Sequence, residues 1–237
     1  PIYQSRVWGG RAFESVLGRV LDGDAPIGES WEMVDRTEAQ SVVVEGDCVG
    51  MNLHNLWSQH RSALFGAGCG GAERFPLLLK LLDAREHLSV QVHPGPDGAG
   101  PALGEPKTEW WYVLDAEPGA AVYAGFRIGA DRVTLEQAIR EGNCEPFLHR
   151  IPVRKGDSLF VPGGRIHAIG GGCLIAEVQQ NSDTTYRVFD WNRKGPDGLP
   201  RALHVEESLA CIRFEDPVPA LEPDLEKHGF SCAFFCV

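Results

Sequence analysis

Four side chains with metal-ligand chemistry lie on segments that strand geometry can bring together. Gln91 and His93 stand two apart in the run Leu88-Ser-Val-Gln-Val-His93, and side chains two apart on a strand point to the same face. Glu109 opens the aromatic run Glu109-Trp-Trp-Tyr-Val-Leu114. His167 closes Gly156-Asp-Ser-Leu-Phe-Val-Pro162-Gly-Gly164-Arg-Ile-His167. Two imidazoles, a carboxylate and an amide oxygen suit Zn²⁺ or another borderline divalent ion. A donor set without thiolate leaves room for water or substrate, so the centre reads as catalytic rather than structural. The remaining histidines, His54, His60, His87, His149, His204 and His228, read as packed or solvated residues.

Cations recur beside these candidates. Lys107 is two residues from Glu109 and projects to the same face if that segment is extended. There it would stabilise a developing oxyanion or move a proton; its other reading is a solvated loop lysine. Arg187 lies in Thr184-Thr-Tyr-Arg-Val-Phe-Asp190, where strict alternation puts Thr185, Arg187 and Phe189 on one face. An arginine among aromatic and β-branched neighbours is seldom buried without an anionic partner, either a ligand phosphate or a carboxylate such as Glu177. Arg193 and Lys194 could extend a phosphate grip. Ser89 shares the Gln91 and His93 face. Glu29, Glu32 and Glu177 are candidates for a general base or for orienting a ligand.

Positioning these groups falls mostly to strands. Segments 41–45, 77–82, 88–93, 109–114, 158–161, 166–169, 174–179 and 184–191 read as short strands separated by turns, the pattern of a sandwich or small barrel. The 28 glycines and 16 prolines supply those turns. Apolar periodicity predicts a helix over 53–64. A Thr134/Gln137 capping box predicts a second one, ending near Gly142. A small barrel with a pocket in its mouth is a natural ligand site.

The 237 residues carry a formal net charge of −11, which argues against a nucleic-acid footprint but leaves room for a small anionic ligand. Seven cysteines, odd in number and irregularly spaced, point to reduced thiols in a cytoplasmic protein. The longest apolar run, 76–82, is broken by Lys80 and is too short for a membrane span.

Gly156-x5-Pro162-x-Gly164-x2-His167 resembles the second cupin motif. The first cupin motif is altered, with Gln91 in place of its first histidine and Glu109 farther along. That departure resembles the type I phosphomannose isomerases. Further segments carry the likeness in order: Val7-Trp-Gly-Gly10, Gly28-Glu-Ser-Trp-Glu32, Ser89-Val-Gln-Val-His-Pro94, Pro106-Lys-Thr-Glu-Trp110, Val161-Pro-Gly-Gly-Arg-Ile-His-Ala168, the stretch 177–187, and Phe189-Asp-Trp-Asn-Arg193.

The resemblance implies a mainly β, cupin-type (jelly-roll, double-stranded β-helix) barrel with a few short helices. It also implies a zinc-dependent aldose–ketose isomerase interconverting mannose 6-phosphate and fructose 6-phosphate through an enediol. Gln91, His93, Glu109 and His167 would hold one Zn²⁺ per chain. Arg187 and Lys107 would be catalytic, and Ser89, Arg193 and Glu177 would line the sugar-phosphate site. The alternatives are a non-catalytic, metal-containing sugar-binding or regulatory cupin, and an iron-dependent oxygenase. Family members usually carry a second β region after a segment like Leu203-His-Val-Glu206. The expected organisation is therefore a catalytic domain over 1–205 and the start of a truncated C-terminal β region over 206–237, with the run 230–237 as a strand.

Overall fold

The computed structural model describes residues 1–66, 68, 70–96, 103–127, 129–195, 198–216 and 219–221. Among the described residues, eleven strands form two antiparallel sheets that face each other. The first holds six strands in the order β1 (Ile2–Gly10), β2 (Ile27–Met33), β3 (Leu77–Ala84), β10 (Cys173–Gln180), β5 (Glu109–Ala116) and β8 (Ser158–Val161). The second holds β11 (Tyr186–Phe189), β4 (Val90–Val92), β9 (His167–Ile169), β6 (Ala121–Phe126) and β7 (Leu148–Pro152). This is the mainly β, cupin-type architecture expected from the motifs.

Alternation along the strands builds the core between the sheets. Leu82, Trp111, Val113, Val122, Ala124, Leu159, Val161, Ile169 and Ile175 all contribute to one buried cluster there. A second cluster covers the opposite face of the five-stranded sheet. Leu135, Ala138 and Ile139 of α3 (Arg132–Glu141) and Leu209 and Cys211 of α4 (Val205–Cys211) pack on Val90, Val92, Ala168 and Val188. On the outer face of the larger sheet, Phe13 of α1 (Ala12–Ser15) packs with Leu81, Leu174 and Ala176. The four described free cysteines are Cys48, Cys144, Cys173 and Cys211. No helix among the described residues is long and apolar enough to cross a membrane.

Several local expectations need correction. Segment 41–45 is not a strand; an isolated bridge pairs Val42 with Asn52, and the Val43 amide and carbonyl bond to Met51 and Gly50, so its partners lie within the excursion between β2 and β3 and not in either sheet. Helix α3 starts earlier than expected. Asp131 is the N-cap, accepting from the Thr134 amide while the Thr134 hydroxyl accepts from the Asp131 amide. The helix expected over 53–64 is present as α2 (Leu53–Phe65), capped by Asn52. Residues 205–211 are helical, and Leu209, Cys211 and Ile212 pack into the barrel's own cluster. The stretch 230–237 lies outside the described residues.

One carboxylate holds together the two ends of the excursion that carries α2. Asp35 is fully buried and accepts from the Phe75 amide (2.9 Å), Gln40 Nε2 (2.8 Å) and Arg74 Nη1 (3.1 Å), with His54 Nδ1 at 3.2 Å. Burial pushes its pKa up, but the bonds from Gln40, Phe75 and His54 hold it below the ordinary value. A depressed carboxyl contributes stability above its unfolded pKa and loses it as pH falls through the folded value. Asp35→Ala strands the Phe75 amide and the Gln40 side chain, and should cost about 2–4 kcal/mol. Thermal melts at neutral pH check this, and the gap between variant and parent should close in acid.

Candidate metal centre and active site

Sheet register brings the four candidate ligands together. Gln91 on β4 faces His167 on β9 as a cross-strand partner, His93 follows β4 directly, and Glu109 begins β5 in the opposite sheet. His93, Glu109 and His167 are each 1% exposed, and their ligand atoms all lie within 4.8 Å of one another. His93 Nε2 is 3.1 Å from Glu109 Oε1, and His167 Nε2 is 3.7 Å from Glu109 Oε2. The Gln91 amide stands 3.3 Å from His167 Nε2.

Both imidazoles are fixed from behind by main-chain carbonyls. His93 Nδ1 lies 2.9 Å from Thr184 O, and His167 Nδ1 lies 2.8 Å from Arg165 O. A carbonyl accepts only, so each Nδ1 carries the hydrogen and each Nε2 turns a lone pair inward. Burial and the nearby Lys107 charge push His93 down to about 3, so at neutral pH its Nε2 has no proton to give. His167 is likewise lowered by burial. The imidazole lone pair thus faces a carboxylate, and neither His93 Nε2 nor Glu109 Oε1 makes a hydrogen bond. Two acceptors held at 3.1 Å inside the protein fit a cation between them. The donor set and its inward lone pairs therefore suit a divalent ion.

A cleft of about 390 Å³ opens beside this centre, lined by Ser89, Gln91, Lys107, Glu177, Arg187 and Arg201 among others. Lys107 Nζ reaches 3.0 Å from Glu109 Oε1, an ion-pair contact outside hydrogen-bond geometry. Burial opposes the Lys107 charge, but Glu109 and Glu177 outweigh it and raise the pKa, so the ammonium persists. For Glu109 burial works upward, yet Lys107 and His93 hold the carboxyl well below its usual range.

Glu177 behaves oppositely. It sits on β10 between Lys80 of β3 and Trp111 of β5 as cross-strand partners. Trp111 Nε1 donates to both Glu109 Oε2 and Glu177 Oε2, each at 3.0 Å. Burial and the Glu109 charge push Glu177 up from its ordinary 4.5 to about 7, against the pull of Lys80 at 3.8 Å and Lys107. Two neighbouring carboxyls are therefore driven apart in acidity, the condition under which one stays ionised and the other exchanges protons near neutrality.

Arg187 lines the cleft beside Gln91, its cross-strand partner. A register shift between Arg187 and Phe189 breaks the alternation expected there: Phe189 turns into the cluster behind the sheet while Arg187 stays in the cleft. Arg193 does not line the cleft. Its guanidinium donates to His87 O (2.9 Å) and Asp190 Oδ1 (2.7 Å). Glu29 lines the cleft, held by Arg6 and Trp31, whereas Glu32 bonds Arg19 and Ser30 instead. Nothing in the sequence marks Lys80 or Arg201 as part of the site. Lys80 sits in an apolar run that reads as plain core, and Arg201 follows a loop with no strand signal.

A two-sheet antiparallel barrel gathering two histidines, a carboxylate and an amide at its mouth is a cupin-type protein with a candidate metal centre. Residues 1–118 match the family described as phosphomannose isomerase type I, catalytic domain. The mannose-6-phosphate isomerase ManA of Bacillus subtilis (strain 168) is 41% identical over 216 residues, 90% of this chain and 66% of its own length. The mannose-6-phosphate isomerase of Streptococcus mutans serotype c is 40% identical over 225 residues, 94% of this chain and 70% of that protein. The crystal structure of the mannose 6-phosphate isomerase from Bacillus subtilis superposes with a TM-score of 0.83 at 34% identity, covering 92% of this chain and 68% of that one. The chain belongs to the type I phosphomannose isomerase family. It spans about two thirds of the length of these relatives.

Proposed function

We propose that this chain interconverts mannose 6-phosphate and fructose 6-phosphate through an enediol, with one zinc ion held by His93, Glu109, His167 and Gln91. The observation that carries the reading is an inward-facing ligand set beside a cleft whose walls hold Gln91, a carboxyl displaced to about 7, and several cations. Membership of the family supports the same substrate pair. Zinc in this centre would polarise or orient the sugar oxygens as a Lewis acid.

The chain's own groups divide the remaining work. Glu177, buried and titrating near neutrality, takes the proton from one carbon and returns it to its neighbour. The Lys107 ammonium stands where it stabilises negative charge developing on the sugar oxygens. Arg187 binds the substrate's anionic end: its guanidinium has no carboxylate within ion-pair distance among the described residues, and its Nε is buried without a partner. Ser89, 6% exposed at the cleft wall, is a further hydroxyl donor.

A coupled assay for fructose 6-phosphate formed from mannose 6-phosphate tests the reading. Chelator-stripped protein should show at least about a 100-fold loss of turnover, restored by added zinc. Protein with zinc restored that forms no product would instead identify a sugar-binding cupin without turnover.

A further inference from the structure

The loop leaving β11 is built at some conformational cost. Trp191 and Asn192 both adopt left-handed backbone, with φ of 55° and 56°, a region that Asn enters readily but that a bulky residue such as Trp adopts only when its surroundings compel it. What holds them there is visible. Trp191 Nε1 donates to Leu88 O at 2.6 Å, and Asn192 Nδ2 donates to Gly142 O at the end of α3. The chain then returns through a bridge between Lys194 and Pro200 to lie alongside β11. The His204 amide donates to Arg187 O and the Arg187 amide donates to His204 Nδ1, clipping the returning segment to the strand.

That path delivers one cation. Asp190, 5% exposed, accepts from Arg201 through Nε (2.7 Å) and Nη2 (2.6 Å), a fork that fixes the guanidinium plane. The Arg201 Nη1 end makes no hydrogen bond among the described residues, and Arg201 lines the same cleft as Arg187. The two side chains are neighbours, since Arg187 Nη1 donates to the carbonyl of Ala202. Arg187 is lowered first by burial and next by the charge of Arg201, so the pair repel while no anion lies between them. On the opposite wall the cations are already matched, Arg6 by Glu29 and Lys80 by Glu177. Arg187 has no carboxylate within ion-pair distance among the described residues, and Asp190 is shared between Arg201 and Arg193, so cations outnumber anions on the Arg187 and Arg201 wall.

We propose that Arg201 forms a two-arginine phosphate subsite with Arg187, and that Asp190 is the positioning residue that aims it. The proposal rests on the sugar-phosphate reading above and assigns the group that reads the phosphate. A planar fork anchored along one edge offers its remaining nitrogen to a tetrahedral oxyanion without paying again for rotamer order.

Kinetics and titration calorimetry on zinc-loaded protein decide it. Arg201→Gln should raise KM for mannose 6-phosphate about 10- to 100-fold, the value of a charge-assisted bond to phosphate. It should leave kcat within about threefold and weaken inorganic-phosphate binding in parallel. Asp190→Asn should shift KM in the same direction. A merely structural Arg201 would instead lower the melting temperature and kcat together. Should Arg201→Gln fail to fold, Arg201→Lys keeps an ion pair to Asp190 and is expected to weaken phosphate binding severalfold. Wild-type protein that binds no phosphate, or Arg201 variants that bind it as wild type does, overturn the proposal. If wild type lacks turnover, the isomerase reading falls, and the inorganic-phosphate titration still decides the role of Arg201.

Discussion

Replacing Glu109 by Gln should remove bound metal and turnover together while weakening the fold. Glu109 is the single described carboxylate among the ligand atoms, and its two oxygens face His93, His167, Lys107 and Trp111. Glutamine keeps the size and can still accept from Trp111 Nε1, so packing is preserved and the charge is the variable. Loss of a group that only orients a ligand costs 10- to 100-fold in metal affinity, and loss of the anionic ligand itself should exceed about 100-fold. The Lys107 ammonium, 4% exposed, is then buried beside an amide. Breaking such a buried pair from one side costs about 3–5 kcal/mol. Elemental analysis after dialysis, steady-state rates and thermal melts read the three effects. His167→Ala should match it in metal loss without stranding Lys107. Retention of both zinc and activity in Glu109→Gln would remove the metal centre from its proposed place.

Glu177→Gln should separate chemistry from metal binding. Glu177 is outside the ligand cluster, so zinc content should be unchanged, while kcat falls roughly 10²- to 10⁴-fold with the loss of a proton carrier. A base must be ionised to act, so wild-type kcat/KM should rise with pH through an acidic limb and then level, and burial and the Glu109 charge lift Glu177 to about 7 without a metal. A bound dication offsets the Glu109 charge that lifts Glu177, placing the zinc-loaded limb below that value. In the variant the limb disappears. Stability moves the other way. A carboxyl raised in the folded state contributes fully below its unfolded pKa, and that contribution is lost as pH rises through the folded value. Glutamine has no charge to bury, so the variant should melt at the same temperature as wild type or higher at pH 8. An unchanged pH–rate profile would assign the proton to another group.

Legibility of the site in the sequence follows the range of the signal. Gln91 and His93 share a strand face through a period of two, and His167 ends a run with its own glycine and proline punctuation, so local pattern picks out these candidate ligands. The larger sheet was half hidden. Strand β2 pairs with β1 and with β3, but the apolar positions of β1 and β2 are interrupted by Arg6, Glu29 and Glu32; Arg6 and Glu29 pair with each other across the sheet, and Glu32 pairs with Arg19 of the preceding loop. Lys80 reads as an interruption of a core strand until Glu177 appears beside it. Phe189 and Arg187 show the reverse failure, because one register shift reverses the face that alternation assigns. Arg193 and Arg201 are indistinguishable by composition. Only the folded loop shows that Arg193 is bound to His87 O, outside the cleft, while Arg201 enters it.

The two ligand imidazoles are aimed by the carbonyls of Thr184 and Arg165, atoms that every amino acid supplies. Many metal sites give this task to a carboxylate side chain, which a single codon change can erase. Here the aiming groups are outside the reach of ordinary missense change, apart from substitutions that displace the backbone itself. In a saturation mutagenesis screen for zinc retention, positions 184 and 165 should therefore accept a broader range of residues than 93, 109 or 167. The centre can persist while the chain around it drifts.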